Sequence, residues 1–227
     1  MICMITVHPE KKADLEARFA FLEDGGAHEF RVCAFEKPEN YSLKSDSSDS
    51  VKESIARNTK SCIEMGQGMT LVLQEDVVFA DRERVLSGLR TAVTFMEDHP
   101  EADMFMLGVH PNSRYRKYKD GIVKYRHAVH WQAVIFRKKM LKNLSEDIPQ
   151  GVHSDEYIAS NMTSRVQAYG LRSPVAFQDV TTRWRRRWEY GLLYGFRSRY
   201  PYGDPLWQFV SFLRATTVVM ILYFLIR

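Results

Sequence analysis

Short apolar runs alternate with amphipathic stretches along the first half of the chain. I-C-M-I-T-V at 2–7 reads as a buried strand that His8-Pro9 ends. Residues 10–23 place Leu15, Phe19 and Leu22 on one helical face, and Gly25-Gly26 stops that helix. F-R-V-C-A-F at 30–35 alternates like a second strand. A polar loop then runs to Ser50, with Glu53 three positions on, a capping-box pattern for a helix over about 51–65. Gly66 and Gly68 close it, and T-L-V-L-Q-E-D-V-V-F at 70–79 follows as a strand. Asp81 is the expected N-cap of a helix over 82–97, where Val85, Leu86, Leu89, Ala92, Val93 and Met96 form one stripe. M-F-M-L-G-V at 104–109 is the next strand. Strands alternating with helices predict crossover units and an α/β fold with a mostly parallel sheet sandwiched by helices.

After residue 110 the rhythm changes. R-Y-R-K-Y-K and I-V-K-Y-R-H flank Asp120-Gly121, a strong hairpin signal. H-W-Q-A-V-I-F at 130–136 reads as a strand and R-K-K-M-L-K-N-L as a short helix. Pro149 to Gly151 turns the chain, and Ser154 caps a helix carrying Tyr157, Ile158 and Met162. R-V-Q-A-Y-G-L closes with Gly170, and V-A-F-Q-D-V at 175–180 is a last strand. No internal repeat is present.

One feature conflicts with burial. Gln74, Glu75 and Asp76 interrupt an apolar run that otherwise belongs in a core. A buried, unpaired carboxylate costs on the order of several kcal/mol. In an open parallel sheet, ligands sit outside the carboxyl ends of the strands. Residues 70–73 would then be the buried part, and the acidic pair would emerge at the crevice. A divalent cation would remove the burial penalty, since Mg²⁺ and Mn²⁺ take carboxylate and phosphate oxygens. The bland alternative is a strand end whose acids pair with an arginine.

Composition changes this picture little. The chain has 227 residues, 45% of them hydrophobic and 26% charged, with a net charge of +4. That suits one domain with an appendage. Cys3, Cys33 and Cys62 are isolated, which argues against a disulfide framework or zinc site and for a reducing compartment. The start lacks a basic region and a long apolar run, so no secretory signal is expected.

The acidic run resembles the strand-end motif of GT-A fold glycosyltransferases. The likeness extends to glycosyltransferase family 25 and related small bacterial, phage and large-DNA-virus enzymes. S-I-A-R-N-T-K-S-C-I-E-M-G resembles the helix before that motif, and H-W-Q-A-V-I-F a later strand. H-S-D-E-Y-I-A resembles an H-D-D segment, and S-P-V-A-F-Q-D-V a late strand, so the likeness runs from about residue 2 to 182.

The resemblance implies that Asp76 binds Mn²⁺ or Mg²⁺ on a nucleotide-diphosphate sugar and that Glu75 faces ribose or metal. Gln74 stands where many relatives carry a first acid. Asp179 stands where they often carry a metal-binding histidine. Asp155 and Glu156 match the segment supplying the catalytic base or acceptor contacts, with first-turn acids favoured by the helix dipole as the alternative. His110 and His153 are further candidates, and Trp131 is a candidate sugar platform. Arg57 and Lys60 precede the motif and are placed to meet the nucleotide, or simply to face solvent. The acceptor would be a glycan, glycolipid or glycoprotein. A non-catalytic binding module of the same fold is the competing reading.

The C-terminal part adds a partner. Segment 181–199 holds six arginines against Glu189 alone, interleaved with tryptophan and tyrosine. Residues 206–226 are about long enough to cross a bilayer as a helix, although Gln208 and Arg214 interrupt the span. A tail anchor, an in-plane helix and a helix packed on the domain all remain open. The apolar neighbour favours membrane over nucleic acid. The expected division is therefore a catalytic domain over 1–182, a basic linker over 183–204 and an apolar helix over 205–227. The expected location is the cytoplasm or the cytoplasmic side of a membrane.

Overall fold

The computed structural model describes residues 1–6, 9–25, 30–34, 49–108, 113–128, 132–140, 154–161 and 165–178. All belong to the unit Met1–Gln178. The expected linker and apolar helix lie outside the described residues. Among those described, no helix is long and apolar enough to cross a membrane.

Among the described residues ten strands form: β1 (Ile2–Thr6), β2 (Phe30–Ala34), β3 (Met69–Gln74), β4 (Val77–Phe79), β5 (Met104–Gly108), β6 (Arg114–Lys119), β7 (Ile122–His127), β8 (Ala133–Arg137), β9 (Ala168–Leu171) and β10 (Ala176–Gln178). The α-helices with described bounds are α1 (Lys12–Phe19), α2 (Asp49–Met65), α3 (Arg82–Asp98) and α4 (Ser154–Asn161). Short 3-10 turns at Pro9–Lys11 and Ala20–Gly25 flank α1, so the expected 10–23 helix is only partly α-helical.

Eight strands make one sheet in the order β2-β1-β3-β8-β5-β9-β7-β6. β2, β1, β3, β5, β9 and β6 run one way, and β8 and β7 run the other. The sheet is therefore mostly parallel in strand direction. However, antiparallel β8 lies between β3 and β5, and the neighbouring pairs β3–β8, β5–β8, β7–β9 and β6–β7 are all antiparallel. β4 and β10 form a separate antiparallel ribbon.

Side chains alternate across the sheet with period two. Ile2, Met4, Leu71, Leu73, Phe105, Leu107, Ala133 and Ile135 join one core with residues of α1 and α3. Cys3, Ile5, Val72, Met104, Met106, Val134 and Phe136 join the opposite core with Cys62 and Ile63 of α2 and Ile158 of α4. Every residue of β1 and of β5 is buried, because both faces are covered. Helix α3 buries Val85, Leu89, Ala92 and Met96 as expected, adds Phe95, and leaves Leu86 and Val93 half-buried. Asp81 caps it, accepting from the Arg84 amide at 2.9 Å.

The structure sharpens three points. Arg137 belongs to β8 and residues 138–139 to a turn, so the helix expected from 137 starts later, at Met140, and the rest of that segment lies outside the described residues. R-V-Q-A-Y-G-L, to which sequence pattern assigned no element type, supplies β9, a sheet-interior strand parallel to β5 that contains Gly170. A Cβ there would meet the Met106 carbonyl oxygen at 2.6 Å, so close strand packing requires the glycine. Finally, Cys3 and Cys62 are not isolated. They are disulfide-bonded, with Cα atoms 5.8 Å apart, and join β1 to α2. Fifty-nine positions separate them in sequence, and only the docking of α2 on β1 brings them together.

A crosslink closing so long a loop contributes roughly 2–4 kcal/mol. Reduction should therefore lower the unfolding midpoint. Under denaturing but non-reducing conditions the chain should take up one equivalent of thiol reagent for its three cysteines. Uptake of three equivalents would refute the bond.

Candidate active site

The run at 70–79 is not one strand. β3 ends at Gln74, Glu75 and Asp76 form a turn, and the chain re-enters the core as β4. Leu73 and Val77, on either side, are both fully buried. Burial of such a side chain stabilises by roughly 1.5–3 kcal/mol. The acidic turn is thus clamped by an apolar residue at each end. Phe79 extends the clamp, with edge-to-face contacts to Phe19 and Phe21 at centroid distances of 5.7 and 6.2 Å.

The turn sits where the sheet places it. β1 and β3 are parallel neighbours, with Ile5 beside Gln74. Thr6 follows at the carboxyl end of β1, and its Oγ1 donates a hydrogen bond to Oε2 of Glu75. The Gln74 amide donates to the Gln132 carbonyl at 3.1 Å, which ties the turn to β8 on its other side. Gln74, Glu75 and Asp76 are all half-buried. The acidic pair therefore lies at the carboxyl ends of two adjacent parallel strands.

The β4–β10 ribbon closes the arrangement. Gln178 pairs with Val77, the residue after Asp76. Val175 donates to the Leu107 carbonyl at 2.9 Å, and Ala80 to the Val175 carbonyl at 2.9 Å. Gly108, at the end of β5, makes this approach possible. A Cβ there would stand 2.0 Å from the Ala176 carbonyl oxygen.

The structure brings together Gln74, Glu75 and Asp76 from the sequence-derived set and adds Thr6, an unremarkable strand residue in the sequence. Arg57 is exposed on α2, and among the described residues no bond joins it to the turn. Lys60 pairs with Glu64 one helical turn on, at 3.9 Å on an open face. Asp155 and Glu156 lie in the first turn of α4, with side chains outside the described part. His110, Trp131, His153 and Asp179 lie outside the described residues. Buried Asn58 and Thr59 on α2 are polar residues that sequence pattern alone did not single out.

The donors present suit a hard cation. Two carboxylates in one turn offer oxygen ligands, and such ions commonly keep waters and substrate phosphates in their remaining positions. Among the described residues no group of three or more metal-ligating side chains gathers.

No protein-family profile matches the sequence, and no curated protein is significantly similar to it. Similar solved structures include a UDP-glucose pyrophosphorylase complexed with UDP-glucose, at 9% identity and a TM-score of 0.44, covering 70% of this chain. The chain spans 64% of that enzyme, less than two thirds of its length. A mannose-1-phosphate geranyltransferase from Thermus thermophilus is similar at 14% identity and a TM-score of 0.43, over 79% of this chain and 75% of that one. A glycosyltransferase involved in the glycosylation of the major capsid of PBCV-1 is similar at 12% identity and a TM-score of 0.40, over 74% and 81%. These likenesses are distant, and the functional reading rests on the chain's own residues.

Two substitutions probe the turn's supports. Thr6→Val keeps the shape but removes the donor to Glu75, and should cost about 1–3 kcal/mol, while Thr6→Ser should retain most of that stability. Equal losses in both variants would show that the hydroxyl contributes nothing. Gly108→Ala should lower stability by about 1–3 kcal/mol, as a shifted urea midpoint at unchanged slope. An unshifted midpoint would mean that β10 yields freely.

Proposed function

We propose that the chain is a divalent-metal-dependent glycosyltransferase that takes its sugar from a nucleotide-diphosphate donor. The observation that carries this reading is the Glu75–Asp76 turn, held at the carboxyl ends of β1 and β3 by buried neighbours and the Thr6 hydroxyl. The resemblance of its motif to glycosyltransferase family 25 supports the same reading.

Transfer requires the leaving diphosphate to be neutralised, the acceptor hydroxyl to lose its proton, and the two to be aligned. Bound Mn²⁺ or Mg²⁺ would supply the first of these. Asp76 would hold the ion, with Glu75 oriented by Thr6 toward ion or ribose. Asp179 is the proposed further ligand. The residue before it in the sequence, Gln178, pairs with Val77, which follows Asp76. Asp155 is the proposed base for a glycan or glycoconjugate acceptor, with Glu156 beside it. Arg57 and Gln74 would contact the nucleotide. The segment 183–227 would contact a membrane, as its arginines, aromatics and apolar run suggest.

Glycosyl transfer fits better than nucleotidyl transfer. Cradling a triphosphate by backbone amides favours a glycine-rich loop after the first strand. The connection here, V-H-P-E-K-K, contains no glycine. A carboxylate-held cation does not need such a loop. The non-catalytic reading draws on Gln74, an amide where a third acid would strengthen metal binding.

Incubation with a panel of uridine and guanosine diphosphate sugars should show donor breakdown that requires Mn²⁺ or Mg²⁺. Asp76→Asn should reduce it by roughly a hundredfold or more, with the unfolding midpoint unchanged. Metal-independent turnover, or an Asp76→Asn variant as active as wild type, would overturn the assignment. Pyrophosphate release from a nucleoside triphosphate and a sugar 1-phosphate would reassign the chain to nucleotidyl transfer. Nucleotide binding without turnover would leave a binding module.

A further inference from the structure

The sheet ends on β6, Arg114–Lys119, and every one of its six residues is exposed. Four are cations: Arg114, Arg116, Lys117 and Lys119. β7 adds Lys124 and Arg126, and Asp120 at the tip is the only acid in the hairpin. Among the described residues none of Arg114, Arg116, Lys117, Lys119 and Arg126 is ion-paired. Uncompensated charge at this density needs a partner of opposite sign or open solvent.

The remaining two residues of β6 are tyrosines, and they lean to opposite faces. Tyr118 packs edge-on against Tyr169 at 5.0 Å and Phe95 at 5.9 Å, on the α3 side. Tyr115 packs against Tyr125 at 5.9 Å, on the side of α2 and α4. Even so, 47% of Tyr115 and 42% of Tyr118 remains exposed.

Edge protection alone does not explain this composition. Charged side chains on an edge strand do block unwanted pairing. Half-exposed aromatics on the same edge work against that purpose, because they favour β association. Single-stranded nucleic acid fits poorly too. Serial base stacking uses rings aligned along one groove, whereas these rings lie on opposite faces of one strand. A planar anionic surface meeting the strand edge-on can engage the cations between the rings and both rings at headgroup depth.

We propose that the β6–β7 hairpin docks edge-on against an anionic lipid bilayer, its four β6 cations on lipid phosphates and Tyr115 and Tyr118 at headgroup level. The hairpin is a different stretch of the chain from 183–227, and the proposal does not depend on the transferase reading.

The test is flotation of the full chain with phosphatidylcholine vesicles, with and without phosphatidylglycerol. Wild type should prefer the anionic vesicles, and high salt should weaken that preference. A cation near an anionic surface strengthens binding about fivefold. Replacing Arg114, Arg116, Lys117 and Lys119 by Gln should therefore weaken anionic-vesicle binding by at least about a hundredfold, while any binding to neutral vesicles stays as in wild type. A control lacking the exposed cations Lys11, Lys12, Arg84 and Arg90 should keep the preference. An unchanged anionic preference in the hairpin variant would overturn the proposal and assign the effect to the C-terminal segment. Equal loss in both variants would overturn it in favour of net charge. Hairpin-dependent binding of single-stranded oligonucleotides, with no vesicle preference, would overturn it in favour of nucleic acid.

Discussion

Two carboxylates can sit inside an apolar run only if the backbone leaves the sheet for them and returns to the core afterwards. That constraint organises this molecule. Leu73 and Val77 are fully buried, and the two acids between them occupy a turn. Neither flank can slide outward without exposing a buried side chain, at about 1.5–3 kcal/mol each. The turn is accordingly held from below by hydrophobic burial. From the side the Thr6 hydroxyl donates to the Glu75 carboxylate, a hydrogen bond of the stronger class when the acceptor is ionised.

Strand direction explains why this matters beyond one turn. β1, β3, β5, β9 and β6 all finish at the same edge of the sheet. Antiparallel β8 does not disturb that, because its first residues lie at the same edge, where Gln132 accepts from Gln74. That edge therefore gathers groups from segments distant in sequence: Thr6, the acidic turn, and the ribbon that Gly108 admits. This separation of rigid strands from their edge lets one α/β framework carry many chemistries.

Local order was legible in the sequence where it depends on neighbours along the chain. The α3 stripe, its Asp81 cap and the Asp120-Gly121 hairpin follow from spacing and turn chemistry. Long-range facts were not legible. Cys3 and Cys62 read as isolated because a disulfide is decided by how α2 docks on β1. β9 was obscured because Gly170, a familiar stop signal, serves close packing against Met106. Of the candidate site, the acidic pair was visible because it violates the burial pattern. Thr6 was invisible, since a threonine at a strand end violates nothing. Buried polar residues such as Asn58 and Thr59 are the signal that coordinates add to a sequence.

The two proposals constrain one another through geometry. β6 shares its direction with β3, so the hairpin tip at Asp120-Gly121 lies at the same sheet edge as the acidic turn. Five strand spacings separate β3 from β6 in the sheet order, roughly 24 Å at the usual inter-strand distance. A bilayer engaged by β6 would then hold the crevice near its surface without entering it. A freely diffusing acceptor gains nothing from such an arrangement. An acceptor tethered to lipid gains effective concentration, because its search is confined to a layer of the crevice's height. Lipid docking at the hairpin thus favours a glycolipid among the acceptors compatible with the site, and a soluble acceptor would leave the exposed cations of β6 without a role in turnover.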